Sequence, residues 1–201
     1  MNVATFFAAV LPFAIAMSFT PGPNNLMLAS AGARFGFART LPHQLGILIG
    51  VAVMMLCVGF GIAALIAAAP PLYAAMKIAS ILYMLYLAWR IATAESVADV
   101  SGKAGPMGFW AAAGFQWINP KAWIMTLTAV ATYTTLKSDP RPQIVMLALV
   151  FALVGAASSS AWVLFGQLIR RYLTSPRRRI AFNRTMAVLL IASIVPVIFE
   201  R

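Results

Sequence analysis

The stretch Thr20-Pro21-Gly22-Pro23-Asn24-Asn25 decides the reading of this chain, because apolar sequence runs on both sides of it. No side chain ionises from Met1 to Ala33. Prolines inside a helical run remove backbone donors and clash with the preceding turn, so a helix predicted from about Thr5 to Ala31 is interrupted midway. At membrane depth, freed backbone groups are tolerated only where they are buried in protein or line a cavity. A second interruption lies at Phe115-Gln116-Trp117-Ile118-Asn119-Pro120-Lys121, inside an apolar segment predicted from about Gly108 to Leu136. At about 1.5 Å per residue, about 13 residues precede Lys121 in that segment and about 15 follow it, which puts the lysine near mid-bilayer. A lysine there costs about 2.5–3.5 kcal/mol on insertion scales and is expected to face a wet cavity or an anionic ligand. The competing reading starts the segment later and leaves Lys121 at an interface.

The 201 residues are 62% hydrophobic and 9% charged, more apolar surface than a soluble core of this size uses. The stretches from Thr40 to Met76 (His43 apart) and from Pro142 to Ile169 also lack ionisable groups, and each is long enough to cross a bilayer. Six segments follow: Thr5–Ala31, Thr40–Ala68 stopped by Pro70 and Pro71, Leu72–Ala92 with Tyr83, Tyr86 and Trp89 as an aromatic anchor, Gly108–Leu136, Gln143–Tyr172 and Ile180–Phe199. The expected fold is an all-α polytopic membrane protein of one transmembrane domain, residues 1–201. Its first repeat covers 1–92, a polar linker 93–105 and the second repeat 106–201. Three crossings per half force the halves to be inverted, and proline-interrupted helices at matching positions of inverted halves point to a transport site. The first segment lacks the basic start and small-residue cleavage site of a signal peptide and is read as retained.

The net charge of +11 raises the question of nucleic acid, but the basic residues fall between apolar segments rather than in a stripe with stacking aromatics. Ten of the fifteen flank loops one, three and five: Arg34, Arg39, Arg90, Lys103, Arg170, Arg171, Arg177, Arg178, Arg179 and Arg184. Short cytoplasmic loops carry such an excess, so these loops are placed in the cytoplasm, with both termini outside. The Arg177-Arg178-Arg179 run reads as a topology anchor. A single cysteine, Cys57, excludes an intrachain disulfide or dithiol relay and reads as a small buried residue. One His, one Cys and no acid inside a segment supply neither a nucleophile with its base nor a metal cluster, which argues against an intramembrane enzyme and a metal exporter.

The runs "FTPGPNNLMLASAGARFGFARTLPHQLGI", "GFQWINPKAW" and "RRYLTSPRRRIAFNRTMAVLL" resemble, in order and over nearly the whole chain, the LysE/RhtB family of amino-acid exporters. The resemblance implies efflux of amino acids across a bacterial inner membrane, driven by an ion gradient, with Pro21, Gly22, Pro23, Asn24, Asn119, Pro120 and Lys121 at the matching motif positions. One departure is Ser80, where the family usually shows glycine or alanine. The alternative function is a channel-like or structural membrane protein without coupled transport.

A zwitterionic substrate needs two receptors. Lys121 and the half-helix N-terminus after the Pro-Gly-Pro break suit a carboxylate. Asn24, Asn25, Gln116, Asn119 and freed carbonyls suit an ammonium. The acids Glu95, Asp99, Asp139 and Glu200 all fall in loops or at the chain end, so neutral or anionic substrates are favoured over dibasic ones. Gly46 and Gly50 read as close helix packing, and Ser158-Ser159-Ser160 as packing with a substrate path as the second reading. His43, beside Arg39, reads as interfacial. The expected partners are an amino acid, a coupling ion with the proton as candidate, the lipid bilayer and a second copy of the chain as an open alternative. No cofactor and no nucleic acid are expected.

Overall fold

The computed structural model describes residues 3–62, 70–93, 105–134 and 139–199. Most of the linker, with Glu95, Asp99 and Lys103, lies outside them, as do Lys137, Glu200, Arg201 and the side chains of Lys77, Ser80, Arg90 and Arg179. The described residues form helices α1 (Val3–Phe19), α2 (Pro23–Phe35), α3 (Phe37–Cys57), α4 (Pro70–Thr93), α5 (Phe109–Phe115), α6 (Pro120–Tyr133), α7 (Arg141–Ile169) and α8 (Pro176–Phe199). A π turn, Val58–Ile62, extends α3, and a 3-10 turn, Gln116–Ile118, joins α5 to α6.

Both expected interruptions are present. α1 and α2 meet at 56° across the Pro-Gly-Pro break, and α6 restarts at Pro120 after Asn119 leaves the helical region. Each second half-helix begins with a proline at its first position, where the missing N–H would have had no intrahelical partner anyway. By length and composition, α3 through Ile62 (26 residues) and α7 (29 residues) can cross a membrane, and the bent α1–α2 pair adds a third candidate span among the described residues. α8 starts at Pro176, four residues before the sequence reading, which places Arg177 and Arg178 in its first turn rather than in a loop.

α7 is the central helix, packed by α1, α2 and α3, while α4 pairs with α8. Phe6, Val10, Leu28, Ile47, Leu147, Phe151 and Val163 form the main core; Leu26 of α2 packs with Met84, Ala88 and Leu190 of the α4–α8 pair in a second cluster. Polarity is inverted relative to a soluble bundle. On α3 the outward stripe Leu41, Leu45, Ile49 and Val53 is apolar, whereas Thr40, His43 and Gln44 are buried. Water would penalise this arrangement and lipid favours it.

Glycines set the closest approaches. Cβ atoms placed at Gly46 and Gly50 would lie 2.3 Å from the Phe109 carbonyl oxygen and 2.8 Å from Ala113, so both are contact points of α3 on α5, as expected from their spacing. Tyr86 and Trp89 face outward, but Tyr83 turns inward against Phe115, with ring centroids 5.6 Å apart.

Candidate functional site

Ending α1 in the middle of the bundle leaves its last carbonyls without helical donors. The Ser18 carbonyl accepts from Asn25 Nδ2 at 2.8 Å and from Ser158 Oγ at 2.7 Å. The Thr20 carbonyl accepts from Asn25 Nδ2 at 2.8 Å and from Lys121 Nζ at 2.7 Å. Lys121 Nζ also donates to Thr20 Oγ1 at 2.7 Å and to the Pro21 carbonyl at 3.4 Å. The ammonium, with three donors, therefore sits on the negative end of a helix, where a cation is stabilised. Gly22 makes room for it: a Cβ there would lie 2.8 Å from Lys121 Cδ.

Across the cavity the second break is held by amides. Asn119 caps α6, its side chain accepting from the Lys121 backbone N–H at 3.2 Å. Gln116, fully buried, donates to the Ala112 carbonyl at 2.9 Å and exchanges a reciprocal pair of bonds with Asn24, at 2.8 Å and 3.2 Å. Asn119 Nδ2 reaches Gln116 Oε1 at 3.4 Å. Residues 92 positions apart in the chain thus tie the two interruptions into one unit.

Between them lies a cavity of about 70 Å³. Gly22, Pro23, Asn24 and Asn25 line it from α2, Asn119 and Lys121 from α6, Ser158 and Gly155 from α7, and Ile47, Leu48 and Val51 from α3. That space exceeds the roughly 10–15 Å³ of centre volume one water needs. Both half-helix N-termini, α2 and α6, open onto it beside Lys121, a convergence of partial and full positive charge suited to a carboxylate. Asn24, Asn25 and Asn119 stand on these same two helix starts, and Ser18 and apolar side chains complete the lining. A larger cleft of about 470 Å³ lies between α2 and α7 at the Arg170–Arg171 end, away from both breaks.

Of the residues singled out in the sequence, Gly22, Pro23, Asn24, Asn25, Asn119 and Lys121 line the cavity; Pro21 and Gln116 lie outside the lining but bond to Lys121 and Asn24, and Pro120 starts α6. Ser158, for which packing was the first reading, lines the cavity and bonds the end of α1. Sequence reasoning missed Ser18 and Thr20. A helix ending at Phe19 must satisfy its last carbonyls, and that requirement was the signal that would have found them. The interfacial reading of His43 is corrected: its side chain is 2% exposed, because α3 turns that face toward the bundle.

The LysE type translocator family matches residues 15–197. Among curated proteins, the chain is 28% identical over 193 residues to the "Cysteine/O-acetylserine efflux protein" of Salmonella typhimurium strain LT2, covering 96% of this chain and 97% of the relative. It is 29% identical over 198 residues to the protein of the same name from Escherichia coli strain K12, covering 97% and 98%. No solved structure matches the chain. With a family match that spans both helix breaks and the cavity between them, this chain belongs to the LysE type translocators, and it is a membrane transporter rather than an enzyme.

Proposed function

We propose that the protein exports small neutral amino acids from the cytoplasm, cysteine and O-acetylserine among them, through the cavity between its two broken helices. The observation that carries this reading is the convergence of the α2 and α6 N-termini with Lys121 on one cavity, which the amides of Asn24, Asn25 and Asn119 and the end of α1 at Ser18 also line. The first set receives a carboxylate and the second an ammonium. Among the described residues no carboxylate lines the cavity, so a second positive charge on the substrate would lack a fixed partner. The efflux relatives support the substrate class.

In this reading Lys121 does two things in turn. Its ammonium caps α1 while the site is empty and exchanges one of its contacts at Thr20 or Pro21 for the substrate carboxylate when it is occupied. The expected result in cells loaded with a mixed pool is faster loss of cysteine, O-acetylserine and serine than of arginine when the protein is expressed. Preferential arginine efflux would overturn the assignment.

The proposed frame is one transmembrane domain of six spans in two inverted halves, 1–92 and 106–201, in a bacterial inner membrane. The packing is consistent with a two-fold relation: α1 and α2 lean on α7 as α5 and α6 lean on α3, α3 meets α7, and α4 meets α8. The basic residues favour loops one, three and five in the cytoplasm and both termini outside. Single cysteines at Ser175 and Asp139, in a Cys57→Ser background, are expected to react with an impermeant maleimide only from the cytoplasmic and only from the outer side, respectively. The reverse pattern would overturn the proposed orientation.

A further inference from the structure

His43 is the only histidine of the chain, and neither of its ring nitrogens has a hydrogen-bond partner among the described residues. It is buried, and beside it Gln44 Oε1 is likewise unpartnered. Gln44 Nε2 donates to Ser160 Oγ at 2.7 Å, which links this pair to α7 two residues from Ser158, a cavity-lining side chain. Ile47 and Leu48, one turn further along α3, also line the cavity. Thr40, one turn the other way, donates to the Gly36 carbonyl at the end that carries Arg34 and Arg39. A polar layer therefore separates the cavity from the basic end of the bundle, while the same helix is apolar on its outward face. Leaving a buried imidazole unpaired costs free energy that a Leu or Val buried at this site would avoid.

Resting on the transport reading above, we propose that His43 is the proton-carrying residue of this transporter, placed between the cavity and the cytoplasmic end. In the proposed cycle a hydronium arriving from the outer side through the cavity gives its proton to the unprotonated ring nitrogen, leaving water and an imidazolium. The charged ring needs solvation, which favours opening of the Thr40–Gln44–Ser160 layer to the cytoplasm. There the imidazolium returns its proton to water and the amino acid enters. The neutral ring then closes behind the substrate, so that each cycle exchanges a proton inward for an amino acid outward. The elements packed on α3 bring few competing charges. α5 and the 3-10 turn carry none, α2 carries Arg34, α6 carries Lys121 and Tyr133, α7 carries Arg141 with Arg170 just past its end, and α3 itself has Arg39 and Cys57. None of these is hydrogen-bonded to His43.

The test uses the full chain in proteoliposomes with radiolabelled cysteine kept reduced. His43→Gln is expected to keep cysteine exchange, which needs no net proton movement, within about 2-fold of the parent, and to lose accumulation driven by a pH gradient by about 10-fold or more. A purely structural role would lower both together. If the variant does not insert, the parent protein carries the test, because selectively labelled histidine, with a histidine-free affinity tag, gives one imidazole signal. That signal is expected to titrate and to shift when cysteine is added. Retained gradient-driven accumulation in His43→Gln, equal loss of exchange and accumulation, or an imidazole that does not change with pH would each overturn the proposal. A parent protein with no cysteine exchange would instead sink the substrate reading above.

Discussion

Lys121→Ala is expected to lower amino-acid efflux by at least about 10-fold at matched membrane abundance, since a hydrogen bond to a charged group contributes about 1.5–3 kcal/mol and 1.4 kcal/mol is tenfold. The substitution removes the carboxylate receptor and also uncaps α1, whose Thr20 and Pro21 carbonyls lose the ammonium. Lys121→Met separates the two effects from packing, because it keeps most of the alkyl stem that lies against Gly22. Lys121→Arg is not expected to rescue. The guanidinium is a planar fork with a different reach, and the stem is already confined at Gly22. The measurement is initial efflux rate of a neutral amino acid against the amount of protein in the membrane. Full activity in Lys121→Ala would remove this residue from the site and leave the cavity without its fixed charge.

The largest loss of folded protein is expected from Gly166→Leu. α2 and α7 touch backbone to backbone at two reciprocal points: a Cβ at Gly166 would lie 1.9 Å from the Ala29 carbonyl oxygen, and a Cβ at Gly32 would lie 2.2 Å from that of Val163. No rotamer relieves a clash with backbone, so the helices must separate. Overpacking in a filled core costs about 1–3 kcal/mol even where side chains can adjust, and this site lies at or above the upper end. Gly166→Ala and Gly32→Ala are expected to show smaller losses of the same kind. Gly114→Ala is the control, because a Cβ there meets nothing within 4 Å and glycine inside a helix is unfavourable relative to alanine by roughly 0.5–1 kcal/mol. Thermal unfolding in detergent, read by size-exclusion recovery, is expected to place Gly166→Leu well below the parent and Gly114→Ala at or above it. Equal recovery of both would mean that α2 does not seat on α7 as described. The same displacement would move Asn24 and Asn25, so transport is expected to fall with stability in this series.

The positions of the two breaks were legible in the sequence because proline acts locally. It removes an N–H and blocks the preceding turn whatever surrounds it, so Pro21, Pro23 and Pro120 marked their breaks without help from the rest of the chain. The apolar composition, with few charges inside the segments, likewise identified the solvent as lipid. Gly46 and Gly50 were readable as a contact face because their spacing is a helical repeat. The start of α8 was read four residues late, since a run of arginines looks like a loop by composition while Pro176 is a good first helical residue.

Partnership was a different matter. Lys121 was expected at mid-membrane as a receptor for a carboxylate, but only the tertiary structure showed that its ammonium sits on the end of α1, about a hundred residues away in the chain. The pairing of Asn24 with Gln116, the seat of Ser158 on the Ser18 carbonyl and the burial of His43 depend on which face of each helix meets which neighbour. Inside a membrane protein that choice leaves little trace in hydrophobicity, because the outward face is as apolar as the core. The solvent, the two interruptions and the residue types available at them follow from local backbone chemistry and transfer free energy, and so can be read from the chain alone. Which side chain meets which broken helix end follows from long-range packing, which brings those groups within hydrogen-bonding distance and which no local rule encodes.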